Sequence, residues 1–348
     1  MWEWDLQDVI GKLRSKNNMN NNTLYLVKDN LEVEVYVIGY KAIGESIILF
    51  IKMDHVIIFS AVIDSYQYNG ENRTIDILKE NNIDKINYLC WTHPDDDHSK
   101  GMIDIIYNFV DENTLINIPA KIDINKEKCS KSTREIFKEL QQNIRTRDKY
   151  KVFEVSNIMN ILGYEDPLKI YYNLYEYNLE IKALAPNSNI SWHEQNRNQF
   201  YKNLHSIAFI LSFGEKNFLF TGDIEDVVIK SIPSRHFPEK IDLLKIPHHG
   251  SKSSTKLLEY LRDVDIACVT AYKVGKSNNP EIEVVDRYNK ISKHVFSTYD
   301  IEEKNNDENY GIVKINFDIL KNTYNQNFYG NGCEISHIRL WYYGININ

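Results

Sequence analysis

Thr92-His93-Pro94-Asp95-Asp96-Asp97-His98 follows directly on the apolar run INYLCW at residues 86–91. Two imidazoles and three carboxylates thus crowd one short turn at the end of a segment that reads as a buried strand. Three carboxylates this close repel one another unless solvent or a cation relieves them, and neutral histidines supply nitrogen ligands beside them. Metal binding fits both residue types. The plainer alternative, a solvated acidic turn capping the next helix, fits the Asp run but gives the histidines nothing to do.

Outward from this turn the chain alternates between strand and helix patterns. Upstream, NRTIDILKENN (72–82) spaces Ile75, Leu78 and Ile83 as a helix, and 31–40, 45–52 and 55–64 are strand-like runs punctuated by Gly39, Gly44 and Asp54. Downstream, KGMIDIIYNFV (100–110) reads as a helix. Residues 111–178 are mixed and tyrosine-rich, a candidate insertion near the site. The alternation then resumes: strands at 179–186, 206–213 and 217–223, a strand running into a loop at 242–250, and a helix at 253–264. Strands at 266–272, 294–298 and 311–318, with a helix starting near Pro280, complete the series. Residues 1–30, with the Asn-rich KNNMNNNT, form an N-terminal appendage, and 319–348, with the strand-like HIRLWYYG, a C-terminal extension.

A chain of 348 residues accommodates one catalytic domain with additions. Hydrophobic residues at 43% and charged residues at 26% are those of an ordinary globular protein. No stretch approaches the roughly 20 apolar residues of a membrane span. The N-terminal MWEWDLQDVIGKLRSKNN has acidic residues where a signal peptide needs basic ones, so the expected location is the cytoplasm, away from the membrane. Cys90, Cys129, Cys268 and Cys333 lack CxxC spacing and read as free thiols. A formal charge of -8 argues against a strongly basic nucleic-acid-binding surface.

Further chemistry-bearing residues end other strands. Asp223 closes NFLFTGD, and His248-His249 precede Gly250 at the end of DLLKIPHHG. His205 alternates with Ile207 and Phe209, so it reads either as a ligand or as a satisfied, partly buried histidine. His193, in a polar loop, is a weaker candidate.

The HxDxDH pattern of His93 to His98 resembles the HxHxDH signature of the metallo-β-lactamase superfamily at a strand-to-helix turn. Asp95 at the second position, preceded by Pro94, is similar to the ComEC-type branch, named for the hydrolase domain of the DNA-uptake channel of competent bacteria. Three segments extend the likeness in order along about residues 31–318. They are GESIILF with AVIDS, NLHSIAFILSFGEKNFLFTGDIED with its Asn203 and Ser206, and DLLKIPHHGSKSS. One element departs from the pattern: that branch carries NxxxHP after the next strand, and here Ser277-Asn278-Asn279-Pro280 lacks the histidine.

The resemblance implies an αββα sandwich, an α/β fold of two mixed β-sheets packed face to face with helices on the outer faces. It implies two divalent metal ions, zinc or manganese, with His93 and Asp95 on the first, Asp97, His98 and His249 on the second, and Asp223 between them. Asp95 in place of a histidine enriches the site in hard oxygen donors and makes manganese a competitor to zinc. Asp64 would orient the site from behind. Asp97 and His248 are the candidate catalytic residues, His248 toward the leaving group. The implied activity is phosphodiester hydrolysis by a metal-activated hydroxide, with DNA as the candidate partner and nuclease action the expectation. The alternatives are a phosphoesterase, lactonase or amidase acting on a small molecule or surface polymer, or a metal-bound sensor or scaffold without turnover.

Overall fold

A computed structural model of the protein describes residues 30–120, 129–146, 149–162, 167–195, 201–301 and 307–335. Of the N-terminal appendage only Asn30 is among them, and HIRLWYYG lies outside the described residues.

The first sheet begins with three long strands, β1 (Leu31–Tyr40), β2 (Gly44–Met53) and β3 (Val56–Ile63), joined by tight turns and paired antiparallel. β4 (Tyr88–Cys90) and β5 (Leu115–Pro119) then add in parallel. Crossover helices make this pairing feasible, because parallel neighbours need a connection that returns the chain to its starting edge. Helix α1 (Arg73–Glu80), capped by the Asn72 side chain, connects β3 to β4. The short α2 (Asp96–Ser99) and α3 (Met102–Phe109) connect β4 to β5.

The tyrosine-rich stretch supplies pieces of both sheets. It contains β5, α4 (Lys131–Thr146), β6 (Lys151–Val155) at the edge of the first sheet, and β7 (Leu168–Tyr172), which opens the second. The start of β8 (Tyr175–Ala185) falls within it too. After α5 (Ser188–Gln195), β9 (Ala208–Phe213) and β10 (Lys216–Phe220) extend the antiparallel part of the second sheet. Then α6 (Asp226–Ile229), β11 (Lys240–Lys245), β12 (Asp263–Val269), α7 (Ile282–Asn289) and β13 (Ser292–Ser297) build its parallel part. β14 (Gly311–Asp318) returns to pair with β1. The C-terminal extension adds β15 (Thr323–Gly330) to the first sheet and β16 (Cys333–Glu334) to the second.

Each sheet has eight strands, in the orders β15-β14-β1-β2-β3-β4-β5-β6 and β16-β13-β12-β11-β10-β9-β8-β7. Each is antiparallel in one part and parallel in another, as the mixed sandwich requires. Three apolar clusters separate four layers. Val33, Val35, Leu49, Phe209, Phe218 and Ile266 fill the space between the sheets. On the far side of the first sheet, Ile48 and Phe50 meet Leu78, Met102, Ile105 and Phe137 of the helices. On the far side of the second, Leu219 and Leu244 meet Val228, Ile229, Val284 and Tyr288. Alternate residues of a strand therefore enter different layers, at roughly 1.5–3 kcal/mol per fully buried large apolar side chain.

Two local expectations are corrected. The segment 253–264 is a run of 3-10 turns at Lys252–Glu259, broken at Ser254, and its last residues begin β12. His205 does not alternate along β9. It ends a 3-10 turn at Lys202–His205 that precedes the strand. All four cysteines are free, with Cys90, Cys129 and Cys268 buried. No described helix is long and apolar enough to cross a membrane.

Candidate metal centre

The site gathers at the C-terminal ends of parallel strands from both sheets, where open α/β sheets characteristically leave a crevice for ligands. β3 ends at Asp64, β4 at the acidic turn, β10 at Asp223 and β11 at His248 and His249.

The acidic turn is built inward. Trp91 Nε1 donates to Ser99 Oγ at 3.0 Å, and Ser99 Oγ donates to the Asp95 carbonyl at 2.6 Å, which fixes the entry to α2. Asp95 occupies the N-cap of α2 but its carboxylate makes no capping bond. One of its oxygens lies 3.4 Å from His93 Nε2 and the other 2.7 Å from Lys202 Nζ. His93, Asp97 and His98 are all buried, so the turn is no solvated cap.

On the second sheet, Gly222 has φ +49°, and a Cβ there would stand 2.4 Å from Ser206 Oγ and 2.9 Å from the Ile207 carbonyl. Only glycine fits between β10 and Asp223. Ser206 Oγ in turn accepts the Asp223 N–H at 2.9 Å. His248 and His249 are both left-handed, at φ 47° and 53°. Such strain persists where surrounding contacts over-determine it, and both rings are held. His249 Nδ1 is 3.0 Å from Thr270 Oγ1 and its ring stacks on Tyr272. His248 Nδ1 is 3.0 Å from Ser253 Oγ and 3.2 Å from Glu225 Oε1.

These elements converge on Asp223. Its Oδ1 is 3.5 Å from His98 Nε2; its Oδ2 is 3.8 Å from His93 Nε2, 3.7 Å from His249 Nε2 and 3.9 Å from His248 Nε2. Asp97 Oδ2 adds contacts of 3.5 Å to His98 Nε2 and 3.1 Å to His249 Nε2. Asp97, His98, Asp223 and His249 each present a ligand atom within 4.8 Å of the others, an arrangement that can hold a metal ion. Yet His93 Nε2, His98 Nε2 and Asp223 Oδ1 are buried without a hydrogen-bond partner. Leaving three such atoms unsatisfied is costly, and a cation accepting their lone pairs is the ligand whose chemistry matches them.

The electrostatics agree. Burial opposes charge on Asp223, but His249, His98 and His248 hold its carboxyl well below the usual range. Burial likewise opposes charge on His98, and the carboxylates of Asp223, Asp97, Asp64 and Glu45 push it well above an ordinary histidine. The pocket is an anionic cluster seeking positive charge.

Behind these converging atoms lies a supporting layer. Asp64 accepts hydrogen bonds from the Thr92 N–H at 2.7 Å and the Thr92 hydroxyl at 2.6 Å, and from His98 Nδ1–H at 2.7 Å. This fixes the His98 ring so that Nε2 faces Asp223. Supporting carboxylates of this kind are worth about 10–100-fold in metal affinity. Asp64→Ala is therefore expected to weaken metal retention by about that factor while leaving the fold intact. Competition with a chelator measures it, and unchanged retention would remove Asp64 from this role.

Sequence reasoning placed Asp64 here but missed Glu45, Lys245 and Thr270, all buried. Thr270 Oγ1 donates to Glu45 Oε2, and Lys245 Nζ pairs with the same oxygen at 2.8 Å. For Glu45 and Lys245 the signal available was a charge at the start of or inside an apolar run, in ESIILFIK and in DLLKIP. Lys202, Glu225 and Tyr272 were missed as well. Tyr272 pairs with Asn279 through both backbone groups, so the loop lacking the expected histidine sets a tyrosine against the site instead. Burial and the carboxylates of Asp97, Asp95 and Asp223 push its hydroxyl up to about 12, which keeps it a hydrogen-bond donor.

Other predicted residues take lesser places. Asn203 Nδ2 donates to Glu225 Oε1 at 3.2 Å and lies 3.4 Å from His248 Nε2. His205 Nδ1 donates to the Ala120 carbonyl at 3.2 Å, outside the four-residue group. Burial lowers its proton affinity. His193 is exposed on α5 against Trp192. The pocket opening onto Asp223, His248 and His249 holds about 300 Å³, with Ser130, Lys202 and Tyr272 in its wall.

No protein-family model matches the chain, and no curated protein matches it. Among solved structures it is similar to the one described as the crystal structure of a new diphosphatase from the PhnP family, with a TM-score of 0.36 and 12% identity over 76% of this chain and 84% of that one.

Proposed function

We propose that the chain is a metal-dependent hydrolase that cleaves phosphodiesters. The observation that carries the proposal is the set of unpartnered buried atoms His93 Nε2, His98 Nε2 and Asp223 Oδ1, converging beside a pocket. The HxDxDH, TGD and HHGS segments that resemble the ComEC-type branch support the same reading.

In this proposal His93 and Asp95 hold one divalent ion, Asp97, His98 and His249 the other, and Asp223 is shared, with zinc or manganese as the metal. Bound there, two such ions make water a nucleophile at neutral pH and offset charge on a phosphoryl oxygen. The chain's own residues do the rest. Asp64 and Thr270 hold the Nδ1 atoms of His98 and His249, which aims both Nε2 atoms at Asp223. Glu225, 3.2 Å from His248 Nδ1, accepts the hydrogen bond of that ring N–H and leaves Nε2 at the pocket wall. From there His248 exchanges a proton with the leaving-group oxygen. The Tyr272 hydroxyl, kept protonated, donates to a substrate oxygen.

The test is hydrolysis of a bis-aryl phosphodiester, single- and double-stranded DNA and a lactone, before and after chelation and with manganese or zinc added back. The expected result is phosphodiester cleavage that chelation abolishes and added metal restores. Cleavage of DNA in the same panel assigns nuclease action. Lactone hydrolysis without phosphodiester cleavage would instead assign a small-molecule hydrolase. Full metal occupancy with no turnover would make the protein a sensor or scaffold.

A further inference from the structure

The two halves of the cluster are unequal. Asp97, His98, Asp223 and His249 are all buried. In the other half His93 is buried, but its partner Asp95 has 33% of its side chain open to solvent and is already engaged. Lys202 Nζ sits 2.7 Å from Asp95 Oδ1 and 3.2 Å from the Pro94 carbonyl, and it leaves Oδ2 as the oxygen facing His93. An ammonium at that distance draws on the same carboxylate that a cation needs, and it repels any cation drawn there. Among the described residues, the lysine beside the buried half, Lys245, lies behind Glu45 rather than on an oxygen of Asp97 or Asp223.

We infer that Lys202 sets the occupancy of the His93–Asp95 half, so that this half binds a divalent ion more weakly than the Asp97–His98–His249 half, with the Lys202–Asp95 pair as the cause. The inference rests on the metal-dependent reading of the site. It assigns Lys202 a positioning role, acting through Asp95, and makes the ion of the His93–Asp95 half the one that solution conditions load or unload.

The test titrates manganese into metal-stripped wild-type protein, Lys202→Met and Lys202→Arg by calorimetry, with bound metal counted per chain and no substrate present. Wild type is expected to show one tight and one weaker site. Lys202→Met should tighten the weaker site at least about tenfold and leave the tight one unchanged, while Lys202→Arg, which keeps the charge, should retain the wild-type order. Two equal sites in wild type would overturn the inference, as would a single cation in both wild type and Lys202→Met. So would a weaker site that Lys202→Met leaves unchanged or loosens. A chain that takes up no metal sinks both this inference and the proposed function. A chain that loads two ions unequally, with the expected variant effects, but cleaves no phosphodiester sinks the function and sustains the inference.

Discussion

Replacing Asp223 by Asn is expected to strip metal from the protein and lower phosphodiester kcat/KM by at least about 10³-fold, the upper end of what one well-placed electrostatic group contributes. Asp223 is the carboxylate toward which His93, His98, His248 and His249 all point within 4 Å, from loops of both sheets. The amide has nearly the same shape, but it carries no charge and offers one acceptor where the carboxylate offers two. Because Ser206 binds the backbone N–H rather than the side chain, the loop itself should keep its course. Metal counting and steady-state kinetics on the folded variant decide the matter. Retention of full metal content and full rate would mean that Asp223 neither shares a cation nor shapes the field of the site. The contrast with Asp64→Ala is quantitative: Asp64 acts through one ring, Asp223 through four.

What was legible in the sequence was local. The acidic turn, Asp223 and His249 each follow a strand whose apolar run is unmistakable, while the mixed sandwich was what the family resemblance implied, with the alternation of runs in agreement. What was not legible depends on approach across the fold. Lys202 and Asp95 are 107 residues apart, and Thr270 and Glu45 are 225 apart. No spacing rule reaches that far. The stretch 111–178 failed for a different reason: its strands are edge-like. β6 exposes Phe153 and β7 exposes Tyr171, so apolar residues stand on the wet face and the period of two is blurred. The amphipathic α4 is buried through Ile136, Phe137 and Leu140, but it sits inside that confused stretch. His205 was placed on the strand because alternation with Ile207 and Phe209 is also what a turn followed by a strand produces by chance.

The same geometry that hid Glu45 and Lys245 makes them the strongest stability test. Their side chains are 2% and 1% exposed, and Lys245 Nζ divides its donors between Glu45 Oε2 at 2.8 Å and the Ile246 carbonyl at 3.1 Å. Lys245→Met is expected to cost about 3–5 kcal/mol, since it leaves a buried carboxylate without its cation. That is a large part of the 5–15 kcal/mol typical of a domain. The double change Glu45→Gln with Lys245→Met should recover much of the loss, because removing both charges is cheaper than orphaning one. The pH dependence has a definite sign. Burial raises the Glu45 carboxyl, but Lys245 first and then His98 and His249 bring it down to about 2, from 4.5 for an ordinary Glu. Its contribution to stability is therefore complete above about 4.5 and fades as pH falls toward about 2. Without Lys245 the folded-state value rises, so acid unfolding of the single variant should begin at higher pH than in wild type. Denaturant midpoints of wild type, both single variants and the double variant, taken at neutral and acidic pH on metal-stripped protein, close the cycle. If Lys245→Met unfolds at the wild-type midpoint, the ion pair is not what keeps Glu45 charged beneath the two histidines, and the support of His249 must be sought in Thr270 alone.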